Sequence, residues 1–264
     1  MLLEMLFLGL LQGMLEWLPI SSKGNLVLVM FYFLGIDAEN AFSLSILVHV
    51  GTLLSAVIYF RREIMEIWNS LKGPKSHIQG YRLLVFLVAA TIATGLVGFP
   101  LFLVTRAATV FETGLIVITG AALIFTGLME RKGEKSAGRR EESDLRLSDG
   151  VIVGLAQALS AVLGVSRSGI TTTALLLRGF QAREALRISF LLSIPAVLSV
   201  EMALGILQGL PHLEVQPLIM AVVGAFVSSI VMMRTLIRLT EKIRFSRVCI
   251  VLGVISLIPL VAHL

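Results

Sequence analysis

Two short polar segments, each set inside an apolar stretch, hold the residues of this 264-residue chain that could do chemistry. The first stretch, Leu11 to Leu28, reads LQGMLEWLPISSKGNLVL, and the second, Leu155 to Leu177, reads LAQALSAVLGVSRSGITTTALLL. Gln12 and Glu16 stand four apart, so on a helix their side chains share a face that leads toward the first polar tip. Beside the serines, Glu16 can accept a proton from Ser22 or from water, or help to hold a divalent cation on phosphate oxygens. A structural ion pair with Lys23 or Arg167 is the plainer alternative. Ser21, Ser22, Ser166 and Ser168 suit the start of a new helix after each tip. Such a start presents unpaired N–H groups and about half a positive charge, which together favour an anion. Lys23 and Arg167 add a cation to each tip. Ser21, Lys23, Gly24, Ser166, Ser168 and Gly169 thus describe a pocket for phosphate or diphosphate, with Glu16, Ser22 and Arg167 as its catalytic candidates. Thr171, Thr172 and Thr173, one turn further on, are placed to line the phosphate path, although threonine in a helix more often bonds its own backbone.

The elements that position these tips follow from composition. The chain is 56% hydrophobic and only 15% charged, against about 45 to 50% and about 25% for a soluble domain. That excludes a soluble enzyme and a disordered regulator, and the solitary Cys249 excludes a disulfide-stapled module. Apolar runs at 42–60, 83–104, 109–129, 187–209, 217–237 and 247–263 are each about long enough for a transmembrane helix. The net charge of +5 does not signal nucleic acid, because the cations cluster between these runs: Arg61 to Arg82, Arg131 to Arg146, Arg178 to Arg187, and Arg238 to Arg247. Placed in the cytoplasm, as positive charge in short loops requires, they put both termini outside with every span alternating. The N-terminus has no basic flank and no small-residue cleavage site, so it is read as mature sequence. Segment 131–149 reads as a solvated connector.

Residues 1–33 and 150–180 are broken in the middle by polar, Gly and Pro residues, and neither arm is long enough to cross. Both are expected to be re-entrant hairpins, whose irregular backbone needs protein or a water-filled cavity around it. They align without a gap at an offset of 145, with six identities over residues 9–24, including Gly9 with Gly154, Gln12 with Gln157 and Ser21 with Ser166. One hairpin and three spans per copy invert the second copy, which places a site at the repeat interface where the two tips meet. The expected architecture is an all-α integral membrane protein of six transmembrane helices and two re-entrant helix-loop-helix hairpins in inverted-topology repeats. It forms one membrane domain over 1–264, with repeat 1 at about 1–130 and repeat 2 at about 150–264.

QGMLEWLPISSKGN at 12–25 and LGVSRSG at 163–169 resemble the two signatures of the undecaprenyl-pyrophosphate phosphatase family. HVGTLLSAVIYFRR at 49–62 and REALRISFLLSIPAVL at 183–198 look like that family's stretches in the same order, so the resemblance covers nearly the whole chain. It implies hydrolysis of a polyprenyl diphosphate to the monophosphate carrier lipid used in glycan or cell-wall synthesis. It also implies Mg²⁺ or Ca²⁺ and a site open to the outer face. By position, the family's second motif glutamate falls on Glu16, its serine on Ser22, and its SRSG residues on Ser166, Arg167, Ser168 and Gly169. Three positions depart from the pattern: a glutamate is here Gln12, a histidine is Asn25 and a proline is Leu163. Neither Gln12 nor Asn25 can exchange a proton. His49, within the first span, is a substitute base if it faces the tip; a histidine hydrogen-bonded between helices is the plain alternative.

The sequence therefore predicts a multi-pass cell-membrane phosphatase whose partners are the bilayer and a polyprenyl diphosphate, with no nucleic acid. Association into a homo-oligomer is left open. A carrier of polyprenyl phosphate or another anion, built on the same inverted repeats, is the rival reading.

Overall fold

The structure, a computed structural model, describes residues 2–19, 22–36, 38–73, 77–108, 112–162, 165–208 and 215–240, together with 246, 247, 250, 251 and 254. The described residues are overwhelmingly helical and form no strand beyond one isolated bridge between Arg140 and Phe180. The first polar tip lies between α1 (Leu2–Leu15) and α2 (Ser22–Leu34), and the second between α7 (Leu147–Ala158) and α8 (Arg167–Leu177). The longer helices are α3 (Ala38–Tyr59), α5 (Ile78–Ala108), α6 (Glu112–Ser136), α9 (Ala182–Gln208) and α10 (Val215–Leu239), with the shorter α4 (Arg61–Lys72) after α3. Five expected spans fall on α3, α5, α6, α9 and α10. The sixth, 247–263, lies outside the described residues apart from 247, 250, 251 and 254.

Two helical stretches, Ile78–Val104 and Val215–Leu239, are long and apolar enough to cross a bilayer, and only 39% and 33% of their apolar windows are buried within the protein. A core helix of a soluble protein would be covered. On α10 the exposed face carries Val215, Ile219, Val223, Val227 and Val231, four residues apart. Its other face is made of small residues, Ala221, Gly224, Ala225, Ser228 and Ser229, and packs on α1. This is the arrangement for helices in lipid, where small residues bring backbones together and bulky apolar ones face outward.

Two close crossings seat the arms that carry the tips: α1 lies on α10 and α7 lies on α5. At the first, a Cβ on Gly9 would overlap the Ala221 carbonyl; at the second, a Cβ on Gly154 would overlap the Ala90 carbonyl. Glycine is required at both because the partner atom is backbone and cannot rotate away. These two glycines stand 145 residues apart, at matched positions of the two stretches.

Two connectors read from sequence as plain loops are structured. Residues 61–72 form α4, which turns half-buried Glu63, Ile64 and Ile67 and buried Ser70 toward the protein and Arg61, Arg62, Glu66 and Lys72 outward. Segment 131–149 is largely exposed, as a solvated connector should be, but it is ordered: it continues α6 to Ser136 and then folds onto the turn between α8 and α9. There the Gly138 and Arg140 backbone N–H groups donate to the Phe180 and Gly179 carbonyls. Arg140 reaches the fully buried Asp149 through both terminal nitrogens, at 3.1 and 2.6 Å, and Arg178 Nε donates to the same carboxylate at 2.8 Å. Arg187 on α9 gathers Glu63 of α4 at 2.5 Å and Glu142 of the connector at 2.9 Å. Opposite charges spaced far apart in sequence turn a hydrophilic segment into a clamp.

Candidate active site

Glu16 is the first residue past α1, its N–H still donating to the Gln12 carbonyl at 2.9 Å. Pro19 prevents the helix from continuing, because the residue before a proline avoids the helical region. A carboxylate at a helix C-terminus faces the negative end of the dipole, so a buried one there needs compensation. Three donors and the ring of His49 gather around 7% exposed Glu16. Oε2 accepts from Gln12 Nε2 at 3.0 Å and from Ser22 Oγ at 2.7 Å, and lies 3.0 Å from His49 Nε2. Oε1 accepts from Arg167 NH2 at 3.0 Å. Gln12, Glu16, Ser22, His49 and Arg167 therefore converge from α1, α2, α3 and α8.

The second tip is fixed against the first by its own local chemistry. Ser166 caps α8, its hydroxyl accepting from the Gly169 N–H at 3.2 Å. Ser168 Oγ donates to the Leu18 carbonyl at 2.9 Å. A Cβ on Gly169 would come within 2.7 Å of the Thr126 methyl and 3.1 Å of the Pro19 ring. With these contacts made, Arg167 crosses to Glu16 and stands 6.0 Å above the Trp17 ring. Its NH1 is buried with no partner among the described residues. The same holds for Gln12 Oε1. A buried guanidinium nitrogen with donor capacity left over suits an anionic ligand.

The other sequence-derived site residues divide plainly. Gly24 is buried and Asn25 half-buried on the first turn of α2. Ser21 lies outside the described residues, as does the side chain of Lys23. Thr171 bonds its own helix at the Arg167 carbonyl, 2.8 Å, and faces Ser189 Oγ at 2.6 Å. Thr172 and Thr173 are buried without a hydroxyl partner among the described residues.

Sequence reasoning missed Trp17, whose buried indole N–H donates to Ser229 Oγ at 2.5 Å and whose ring meets Phe190 edge-on at 4.8 Å. It also missed the Ser229 and Ser55 hydroxyls, which pair with each other behind that indole. The signal available was a serine in the middle of each of two apolar runs, which hydropathy averages away.

A divalent cation fits this donor set poorly. Among the described residues no three His, Cys, Asp or Glu side chains are placed to hold a metal ion. The single carboxylate has both oxygens taken by donors, one of them a guanidinium. A hard cation needs about six oxygen ligands and would have to displace these groups.

With this geometry in view, the sequence profile of the family described as bacitracin resistance protein BacA matches residues 5–255. The chain belongs to that family. Its relatives agree: an undecaprenyl-diphosphatase of Methanococcoides burtonii is 38% identical over 268 residues, covering 97% of both chains. One of Haloarcula marismortui is 37% identical, covering 96% of this chain and 94% of its own. One of Saccharolobus islandicus is 43% identical over 192 residues, 72% of this chain and 69% of its own. Membership in the BacA family and the two lipid-facing apolar helices together make this a membrane protein.

Proposed function

We propose that this BacA-family protein is a membrane phosphatase that hydrolyses a polyprenyl diphosphate of the undecaprenyl type to the monophosphate and free phosphate. The observation that carries the reading is the hydroxyl of Ser22 donating to Glu16 Oε2 at 2.7 Å while Arg167 holds Oε1. That is a nucleophile against a carboxylate, with a cation whose second nitrogen has no partner among the described residues and suits phosphate. A carrier has no need of a serine so disposed, and the curated relatives are named as diphosphatases.

In the proposed reaction Ser22 Oγ attacks the terminal phosphorus, and the lipid monophosphate leaves with the electron pair of the broken P–O bond. Serine is the better nucleophile here than a water on Glu16, because both carboxylate oxygens are already occupied. Arg167 NH1 and the first N–H groups of α8 stabilise the charge that develops on the phosphoryl oxygens. Phosphoryl transfer depends mainly on such positioning and charge stabilisation. A divalent cation would arrive on the diphosphate oxygens rather than occupy a protein-built seat.

The same proposal includes the architecture: six spans, two re-entrant hairpins and inverted repeats, with basic loops in the cytoplasm. Support comes from the matched crossings at Gly9 and Gly154 and from the contact between the two tips. Single cysteines placed at exposed Lys135 and at Leu3 should react with an impermeant thiol reagent from opposite sides of sealed vesicles. For the activity, purified protein in detergent should release phosphate from a long-chain polyprenyl diphosphate. Absence of release alongside retained lipid-phosphate binding would overturn the phosphatase reading.

A further inference from the structure

Deepening the reaction proposed above, and resting on it, is the question of where the proton of Ser22 goes. Glu16 Oε2 accepts it first, but that oxygen also holds Gln12 and faces His49, so the proton must move on for these contacts to persist. At the two positions where the family resemblance expects further proton-exchanging groups stand Gln12 and Asn25, and neither exchanges protons.

His49 supplies what these lack. Its Nδ1 lies 2.5 Å from the Ser45 carbonyl oxygen one turn earlier on α3. A carbonyl only accepts, so Nδ1 carries the hydrogen and Nε2 is the nitrogen that gains and loses one. That nitrogen faces Glu16 Oε2 at 3.0 Å, on the oxygen to which Ser22 donates. The ring is 1% exposed, which shields the exchanged proton from bulk water. Among the described side chains that contact Glu16, His49 and Arg167 alone carry or can carry charge; α1 and α2 contribute the neutral Gln12 and Ser22.

We propose that His49 is the acid–base partner of this site, acting through Glu16 in the role left open at Gln12 and Asn25. As Ser22 Oγ bonds to phosphorus, its proton passes to Glu16 Oε2 and on to His49 Nε2, and the lipid monophosphate departs. Water then attacks the phosphoserine, and its oxygen and both of its protons leave with the phosphoryl group as dihydrogen phosphate. The Ser22 Oγ–P bond breaks, and the proton stored on His49 returns through Glu16 to the serine. The sum is one water consumed, one phosphate and one lipid monophosphate released, and an unchanged enzyme.

His49 acts through another residue, so the test must separate proton transfer from packing. In H49Q the glutamine Nε2 can donate to Glu16 and fill the space of the ring, but it cannot carry a proton. Phosphate release from polyprenyl diphosphate should fall at least about a hundredfold in kcat, the scale of a general acid–base group, with KM within threefold and the melting temperature in detergent retained. N25H introduced into H49Q should restore kcat at least tenfold, because it returns a proton carrier to the first turn of α2. Wild-type release with H49Q within threefold of it would overturn this inference while leaving the phosphatase reading intact. So would a loss that moves KM and melting temperature together and is not rescued by N25H. No release from the wild type would instead overturn the phosphatase reading on which it rests.

Discussion

Arg167 donates to Glu16 across 151 residues of chain, NH2 to Oε1 at 3.0 Å, and so joins the start of α8 to the end of α1. The contact neutralises a buried carboxylate and leaves a second guanidinium nitrogen buried without a partner among the described residues. In the proposed reaction, removing it strips out the charge that would stabilise the phosphoryl oxygens. Arg167→Ala is expected to lower turnover at least about a hundredfold, the scale of one oxyanion-stabilising group. Arg167→Lys should recover little, since an ammonium has no fork to bridge carboxylate and phosphate together. Steady-state phosphate release from purified protein measures both, and a loss below about threefold for the alanine variant removes Arg167 from the site.

Ser22 as nucleophile makes a separate claim about a covalent species. Rapid mixing with terminally labelled polyprenyl diphosphate, quenched in acid, should leave label on the wild-type protein and none on Ser22→Ala. The alanine variant should also lose at least about a hundredfold in rate, within the range for losing a covalent or acid–base group. Undiminished hydrolysis by Ser22→Ala would assign the attack to water.

The gathering of these residues was partly legible in the chain and partly not. Gln12, Glu16 and Ser22 could be placed together because helix periodicity and a proline break act over a few residues. Arg167 could be brought to them because the two stretches share an offset, which no single-helix argument needs. His49 was visible as a histidine inside an apolar run, but the face it turns depends on how α3 rotates against α1. That rotation is set by packing and leaves no mark in composition. Hydropathy located the long helices yet placed their ends short, because a helix keeps its hydrogen bonds past the last apolar residue. It read 131–149 as solvated, which most of that segment is, but left its order unseen, because Arg140, Asp149 and Arg178, spread over 39 residues, meet only in the fold.

The matched crossings yield a stability prediction. Gly154→Val would drive a branched side chain into the Ala90 carbonyl of α5, and Gly9→Val into the Ala221 carbonyl of α10. Overpacking of this kind costs about 1 to 3 kcal/mol or more where backbone must move. Each variant should melt several degrees lower in detergent and lose activity, because each crossing seats the arm that carries a tip. Gly95→Ala, where an added Cβ meets nothing within 4 Å, serves as the control and should melt like the wild type.

Asp149 makes the clamp at the other end of α7 sensitive to acid. Burial works to raise its carboxyl, but hydrogen bonds from Arg140 and Arg178, reinforced by the Arg140 charge and the Arg146 N–H, outweigh burial and hold it below the usual aspartate range. A depressed folded-state value means that the ionised clamp contributes stability above the unfolded value, near pH 4. That contribution is lost as pH falls through the folded value. Melting temperature should therefore drop below about pH 4 in the wild type, and this acid component should be smaller in Asp149→Asn. At neutral pH the asparagine leaves two guanidinium groups without their shared anion, a change costing about 3 kcal/mol for a buried pair and less here because both arginines are partly exposed. Equal melting temperatures for the two proteins at pH 7 would show that the connector is held by its backbone hydrogen bonds to Gly179 and Phe180 instead.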